Sequence, residues 1–274
     1  MPLKTMFKRL MALSLVTAAF VVSIPPLTST AQAATRKTTV VLTFDDGTAD
    51  HLAAARMLKA RGLKGTFYVN SGRLGKPGSL TVAGVRSIAK AGNEIGGHTL
   101  HHVHLAHESN AVQQTEICDD RRALLDLGFK VRSFAYPFGE FDESSKETAM
   151  RCGYTSARMV NGVYRDNSCR SCPYAEKVSP PDLGAVRTTS QTGMPRTSAT
   201  FRSFVTRAYR NGGGLVIFVF HTIDNNKKDQ YSTSPKELSA FLDWVAKQKK
   251  AKNIDVRPLG DVIGGPVWPV PDVM

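Results

Sequence analysis

The stretch Thr39-Val40-Val41-Leu42-Thr43-Phe44-Asp45-Asp46-Gly47 decides how the rest of this sequence is interpreted. Its first six residues form an apolar, β-branched run typical of a buried strand, and two adjacent carboxylates follow directly. Taken alone, Asp45-Asp46-Gly47 could be an ordinary turn or a helix N-cap. After a buried strand it instead favours a functional pair, in which one aspartate binds a cation and the other, on the opposite side of the chain, takes a proton from a water.

A histidine cluster, His98-Thr99-Leu100-His101-His102, follows about fifty residues later. His98 and His102 are four residues apart, so on a helical turn both imidazoles would face the same side and reach one cation. Two imidazole nitrogens and one carboxylate, with positions open for water, favour Zn²⁺, and Co²⁺, Ni²⁺ and Fe²⁺ also fit such a set. Three further histidines in or just after this cluster are expected at the surface or behind the ligands: His101, His104 and His107.

Short apolar runs alternate with longer amphipathic segments from residue 38 onward, which predicts repeated strand–helix units. The predicted strands lie near 38–44, 64–69, 93–97, 131–136, 154–159, 184–188, 215–220 and 253–256. The predicted helices cover 50–61, 79–91, 108–127, 142–151, 198–211 and 235–250. This order predicts an α/β fold with a parallel sheet and helices outside it, either open or closed as a barrel.

Most of the chemically active residues fall at the carboxyl ends of different predicted strands. They are Asp45 and Asp46, His98, Pro137 and Phe138, Arg187, and His221. Because the carboxyl ends of parallel strands share one face, where such folds assemble their active sites, we expect these residues to come together.

Four motifs resemble, in order and spacing, those of the polysaccharide deacetylases of carbohydrate esterase family 4, the NodB-homology domain. The motifs are Thr43-Phe44-Asp45-Asp46-Gly47, His98-Thr99-Leu100-His101-His102, Phe134-Ala135-Tyr136-Pro137-Phe138-Gly139 and Phe220-His221. The similarity covers about residues 38–256, within a domain expected over 34–274. It implies a distorted (β/α) barrel of about seven strands and a metal-dependent hydrolase that removes acetyl groups from a sugar, acting on carbon–nitrogen bonds other than peptide bonds.

The resemblance also implies a role for each matching residue. Asp45 would be the general base and His221 the general acid. Asp46, His98 and His102 would hold one divalent metal ion, for which zinc is favoured. These roles agree with the chemistry inferred from the residues themselves.

The third motif carries both the expected substrate groove and one departure from the family. Tyr136, Pro137 and Phe138 would line the groove, and the backbone N–H of Phe138 would be the oxyanion donor because Pro137 has none. Many family members place an arginine beside the catalytic base at the position that Ala135 takes here. Arg187, at the end of a later strand, could supply that charge to Asp45, or it could be a structural surface residue.

Residues 1–33 have the pattern of a signal peptide: basic residues, an apolar stretch from about Leu10 to Ile24, and the small-residue site Ala31-Gln32-Ala33. An uncleaved membrane anchor is the alternative, although Pro25-Pro26 interrupts the apolar run before it reaches the ~20 residues of a spanning helix. We therefore expect a secreted or cell-envelope protein with no membrane span after cleavage.

Export favours oxidation of the four cysteines, and two disulfides are expected, for which three pairings exist. We favour a local Cys169–Cys172 bridge that constrains the loop between residues 161 and 183, and a longer Cys118–Cys152 bridge between two helices. Zinc at Cys169 and Cys172 is the competing interpretation, but no second pair of ligands lies at zinc-finger spacing.

The net charge of +13 suits an anionic cell wall or polysaccharide, or is simply a solvated basic surface. The substrate expected is peptidoglycan, a chitin-like oligomer, an exopolysaccharide or O-acetylated xylan, with N-deacetylation favoured, and no nucleic acid is expected. A monomer is assumed. The alternatives are a noncatalytic carbohydrate-binding cell-wall protein on the same scaffold and a zinc-storage protein, which three ligands do not favour.

Overall fold

The computed structural model describes residues 37–164, 169–190, 195–226 and 228–271. The predicted signal peptide, residues 1–33, lies outside the described residues. Among the helices that are described, none combines the length and the apolar character that a membrane crossing requires.

The described strands form one parallel sheet around β1. They are β1 (Thr38–Phe44), β2 (Thr66–Val69), β3 (Glu94–Gly97), β4 (Ser133–Ala135), β5 (Ser156–Gly162), β6 (Val186–Thr188), β7 (Gly214–Phe220) and β8 (Ile254–Val256). Seven of them follow the order β6-β5-β4-β3-β2-β1-β7, and β8 pairs with the amino end of β1. All residues of β1 are buried, so its carboxyl end delivers the paired aspartates to the middle of the fold.

The two outer strands of this path, β6 and β7, nearly meet and close the sheet. The backbone N–H of Thr189 donates to the carbonyl of Ile217 at 2.9 Å, and Glu176 and Leu215 exchange two backbone hydrogen bonds of 2.9 and 2.7 Å. The seam therefore consists of isolated contacts, with no continuous ladder. The expected distorted (β/α) barrel with about seven strands is confirmed.

Helices connect most of the strands on the outside of the barrel. They are α1 (His51–Lys59), α2 (Val82–Lys90), α3 (Asn110–Gln114), α4 (Asp120–Asp126), α5 (Glu143–Arg151), α6 (Ser198–Arg210), α7 (Pro235–Lys250) and α8 (Leu259–Ile263). The single helix predicted over 108–127 consists of α3, a π-helical turn at Thr115–Asp119, and α4. The short α8 was not predicted, because five residues give too little periodicity to recognise.

Local capping explains where several helices begin and end. At Thr81, Ser109, Asp142, Thr197 and Ser234 the side-chain oxygen accepts a backbone N–H of the first helical turn, as N-caps do. These short polar residues preceding amphipathic segments are the reason that the helix boundaries could be predicted closely from the sequence.

The interior beneath the carboxyl ends is crowded enough to require glycine in β3. A Cβ on Gly97 would lie 1.9 Å from the hydroxyl oxygen of Tyr154 and 2.8 Å from Oδ2 of Asp120. Any larger residue would displace both groups. Asp120 is therefore held directly under the loop that follows β3, where the first histidine of the cluster lies.

Both expected disulfides are present. Cys118, in the π-helical turn, is bonded to Cys152 at the end of α5. Cys169 is bonded to Cys172 in the irregular segment between β5 and β6.

Candidate active site

Asp45 and Asp46 follow β1 and diverge from each other. Asp45 still continues the sheet, since its N–H donates to the carbonyl of Phe220 at 2.9 Å. Asp46 has φ of +73°, in the left-handed region that non-glycine residues rarely adopt. This turn, and not the alternation of an extended chain, sends the two carboxylates to different partners.

Asp46 meets the two histidines expected to share a cation with it. Its Oδ1 lies 3.2 Å from Nε2 of His98 and 3.0 Å from Nε2 of His102. Among the residues described, these three form the one group of acidic, histidine and cysteine side chains whose candidate ligand atoms all lie within 4.8 Å of one another. The structure thus brings together the residues that the sequence predicts as ligands.

The prediction of a helical turn under these histidines is wrong. Residues 98–102 form a loop, with Thr99 and His102 in the left-handed region at φ of +67° and +65°. The hydroxyl oxygen of Thr99 accepts the N–H of His102 at 2.9 Å and so stabilises the turn. The two imidazoles therefore converge through two unusual backbone conformations.

Glu116, in the π-helical turn, fixes the outer part of this loop. Its carbonyl accepts the N–H of Leu100 at 3.1 Å, and its carboxylate binds the N–H of His101 at 2.9 Å and Nδ1 of that residue at 2.7 Å. His101 is consequently turned toward Glu116 and is not part of the three-residue group. π-Helical turns like the one that carries Glu116 are frequent at functional sites because they displace a side chain from the regular helical path.

Two further polar residues fix the inner part of the loop. The side-chain amide of Asn70 donates to the carbonyls of His98 and Thr99. The carboxylate of Asp120 accepts the N–H of His98 at 3.0 Å and that of Ser71 at 2.8 Å. Burial raises the pKa of Asp120 to about 6, so this anchor is itself titratable.

The donor arrangement fits a divalent cation. Nδ1 of His98 lies 2.7 Å from the carbonyl of Ala135, which can only accept, so a neutral His98 carries its proton there and presents an unprotonated Nε2 to Asp46. Oδ1 of Asp46 is buried and has no hydrogen bond of acceptable geometry. Two lone pairs facing each other at this distance repel unless a cation lies between them. The three residues match the open N,N,O sets of catalytic zinc.

Asp45 is paired with Arg158, a residue of β5 that sequence analysis did not identify. The side chains form a salt bridge in which both partners are almost fully buried, and Arg158 also stacks on Tyr68, with 4.9 Å between the guanidinium carbon and the ring centroid. Burial alone would raise the pKa of Asp45, but Arg158 lowers it below the ordinary value, with help from the nearby histidines. A charged residue within a predicted buried strand was the available signal, because such a charge needs a partner.

The prediction that Arg187 supplies this charge is wrong. Its guanidinium binds the carboxylate of Glu176 through Nε at 2.7 Å and Nη2 at 2.8 Å. Arg187 therefore stabilises the seam of the barrel, where Glu176 pairs with β7. Before the strand register was known, the sequence could not show whether an arginine of β6 or one on the interior face of β5 would pair with Asp45.

His221, at the end of β7, lies on the other side of Asp45. Its Nε2 is 3.9 Å from Oδ2 of Asp45, and its ring packs against Tyr231 with a centroid distance of 5.1 Å. Its carbonyl accepts a hydrogen bond from Nε2 of the buried His51 at 2.9 Å. Burial lowers the pKa of His221, and Asp45 opposes that effect only in part. Because its pKa is lowered, His221 is protonated in a smaller fraction of molecules, but its imidazolium releases the proton more readily.

Only one of the three predicted groove residues is accessible. Tyr136 is fully buried and donates its hydroxyl to the carbonyl of Gly184 at 2.8 Å, so its prediction as a groove residue is wrong, and Pro137 is buried too. Phe138 has φ of +59° and is 46% exposed. Its ring stacks on His104 at 3.7 Å and lies edge-on to His102 at 4.5 Å.

Comparison with known proteins finds similarity to the family that the motifs resemble. Residues 32–157 match the family model for polysaccharide deacetylases. The Bacillus subtilis protein YxkH, whose name places it among the polysaccharide deacetylases, is 31% identical over 118 residues, which span 42% of this chain and 42% of that protein.

Two solved structures share the fold. A family 4 carbohydrate esterase from Streptomyces lividans in complex with acetate is 18% identical, covers 86% of this chain and 98% of its own, and superposes with a TM-score of 0.53. A family 4 pseudoenzyme from Bacillus anthracis is also 18% identical, with 84% of this chain and 66% of its own covered and a TM-score of 0.52. At this identity both show the fold alone, and fold does not decide between an enzyme and a pseudoenzyme.

Proposed function

We propose that this protein, whose residues 32–157 match the family model for polysaccharide deacetylases, is a metal-dependent hydrolase that removes acetyl groups from an extracellular polysaccharide. The observation that carries the proposal is the convergence of Asp46, His98 and His102 beside an Asp45 that is paired with Arg158. A ligand set and a separate, charge-paired carboxylate are what hydrolysis of an amide or ester by an activated water requires.

A divalent cation held by Asp46, His98 and His102 would supply Lewis-acid chemistry, polarising the acetyl carbonyl and lowering the pKa of a water. Zinc suits the two imidazoles and one carboxylate best, and Co²⁺, Ni²⁺ or Fe²⁺ also match them. The hydrogen bond from His98 Nδ1 to the Ala135 carbonyl orients the imidazole for this role.

Asp45 accepts the proton of the attacking water. Its carboxylate is ionised because Arg158 lowers its pKa, and the salt bridge keeps one oxygen away from bulk solvent. The backbone N–H of Phe138 donates to the carbonyl oxygen as negative charge develops there. His221, on the other side of Asp45, gives its proton to the departing amine or alkoxide.

The proposed substrate is an N-acetylated polymer, such as peptidoglycan, a chitin-like oligomer or an exopolysaccharide. The exposed ring of Phe138 beside His102 offers a face on which a pyranose can stack next to the reacting acetyl group. Action outside the cell is part of the proposal and rests on the pattern of residues 1–33. O-acetylated chains are the second substrate class, since the same residues can hydrolyse an ester.

A noncatalytic carbohydrate-binding protein is the competing function. The fold alone is compatible with it, since the Bacillus anthracis structure of the same fold is a pseudoenzyme. The presence of both aspartates, the two candidate ligand histidines and His221 around one point, with Asp45 paired to Arg158, favours catalysis.

Metal analysis combined with acetate release separates these functions. The purified protein is stripped with chelator, reloaded with zinc, and incubated with N-acetylated and O-acetylated polymers, with Asp45→Asn as the matched variant. Release of acetate that depends on both metal and Asp45 is the expected result. Binding of one metal ion per chain without acetate release from any polymer would favour the noncatalytic alternative.

A further inference from the structure

A groove lies between the carboxyl-terminal ends of α6 and α7, outside the site already described. Its volume is about 300 Å³, and its sides carry the aromatic residues Tyr209 and Trp244. Tyr209 is 58% exposed, whereas Trp244 is half-buried: it packs on Phe241, and the guanidinium carbon of Arg202 lies 5.8 Å from its ring centroid. Val205 and Ile254 form the buried apolar floor. Tyr209 therefore lies outside the buried core of the barrel.

Planar amides complete the lining of this groove. The side-chain amide of Asn253 donates to Oε1 of Gln248 at 2.8 Å. That bond leaves the NH₂ group of Gln248 and the side-chain carbonyl of Asn253 without partners among the described residues. A donor and an acceptor fixed side by side beside aromatic rings match the equatorial hydroxyls and the apolar face of a pyranose.

The charges around the groove are positive. Arg210 lines it, and within the part of the chain that the structure describes it has no carboxylate partner. Lys247 and Lys250 are exposed on the last turns of α7. The nearest carboxylates in the sequence already have cations, since Asp243 binds Arg61 at 2.7 Å and Asp255 binds Arg257 at 3.1 Å.

From these features we propose that the groove binds sugar units of an anionic polysaccharide. The exposed ring of Tyr209 stacks on the sugar, the exposed edge of Trp244 borders it, the amides of Gln248 and Asn253 contact its hydroxyls, and Arg210 neutralises its carboxylate. The polysaccharide is anionic because no carboxylate among the described residues compensates the positive charge of Arg210 in the groove.

The groove is separate from the catalytic residues. Helices of a (β/α) barrel run opposite to the strands, so α6 and α7 end next to the amino ends of β7 and β8. Asp45 and its neighbours lie at the carboxyl ends. A polymer held here would anchor the protein on its matrix without occupying the site of hydrolysis, and the inference does not depend on the proposed activity.

Binding of polygalacturonate, an anionic polymer without acetyl groups, tests the proposal. Affinity is measured by calorimetry for the wild type, Tyr209→Ala and Arg210→Gln, with neutral dextran as the reference polymer. Two matched controls remove similar side chains elsewhere: Trp268→Ala, which loses an exposed aromatic residue, and Lys90→Gln, which loses a surface cation.

Each groove variant should weaken binding by about tenfold or more, as truncation of a central anchor does, while the controls stay within about twofold. Dextran should bind more weakly than polygalacturonate. The Asp45→Asn variant should bind like the wild type, which separates this site from the site of hydrolysis. Wild-type affinity in Tyr209→Ala, equal binding of dextran, or loss of binding in Asp45→Asn would each overturn the proposal.

Discussion

Replacing Arg158 with methionine should disable Asp45 while leaving the candidate metal ligands in place. Methionine has a similar length but no charge, and Arg158 is fully buried, so water cannot take over its role. Asp45 is 2% exposed and would keep an uncompensated buried carboxylate. Its pKa should therefore rise, because burial then acts without the opposing guanidinium.

The size of both effects follows from the burial of the pair. Leaving one partner of a buried ion pair unpaired costs about 3–5 kcal/mol of stability. Loss of a positioned general base reduces turnover by about 10²-fold or more. Near neutral pH the rate should fall by about that factor, and the acid limb of the pH–rate profile should move to higher pH. Zinc content should be unchanged, because Arg158 does not contact Asp46, His98 or His102.

The assay is acetate release across pH 5–9, corrected for the folded fraction from a thermal melt. Arg187→Met is the matched control, since it removes a guanidinium that pairs with Glu176 and not with Asp45. That variant should lose stability without moving the acid limb. An additional Asp45→Asn substitution in Arg158→Met should recover part of the lost stability, because no buried charge is then left unpaired. An unmoved acid limb in Arg158→Met, or a shift in Arg187→Met, would refute the reasoning.

Three further outcomes are expected. Asp45→Asn should abolish acetate release with zinc still bound, whereas Asp46→Asn should lose zinc, measured by atomic absorption; equal metal loss in both would contradict the separate roles of the two carboxylates. Burial raises the pKa of Glu94, so the protonated side chain stabilises the fold fully below its unfolded pKa of about 4.3, and this contribution is lost as pH rises through the folded pKa. In urea titrations over that range, the free energy of unfolding of Glu94→Gln should therefore increase relative to that of the wild type. Replacing both Cys118 and Cys152 with alanine should lower the free energy of unfolding by about 4 kcal/mol for a separation of 34 residues, whereas replacing both Cys169 and Cys172 should lower it by about 2 kcal/mol. Equal urea midpoints for the two double variants would argue against a loop-entropy origin.

The strand and helix pattern could be predicted from the sequence because it depends on local periodicity and on capping residues. β1 and α7 occur over the residues predicted for them, 38–44 and 235–250, and the other predicted elements begin and end within a few residues of the expected positions, although the helix predicted over 108–127 is interrupted by a π-helical turn. The clustering of Asp45, Asp46, His98 and His221 could also be predicted, because residues at the carboxyl ends of parallel strands must share one face.

The tertiary structure alone decided which groups touch. Arg158 and Asp45 are 113 residues apart, and their salt bridge depends on the strand order and register across the barrel. The same register places Arg187 against Glu176, although both arginines lie in predicted strands. The left-handed conformations at Asp46, Thr99 and His102 likewise have no periodic signature. The loop over residues 98–102 is fixed in part by hydrogen bonds with Asn70 and Glu116, which lie elsewhere in the sequence. Local sequence patterns thus determined the elements and the face they share, whereas contacts between side chains distant in sequence required the three-dimensional packing that brings them together.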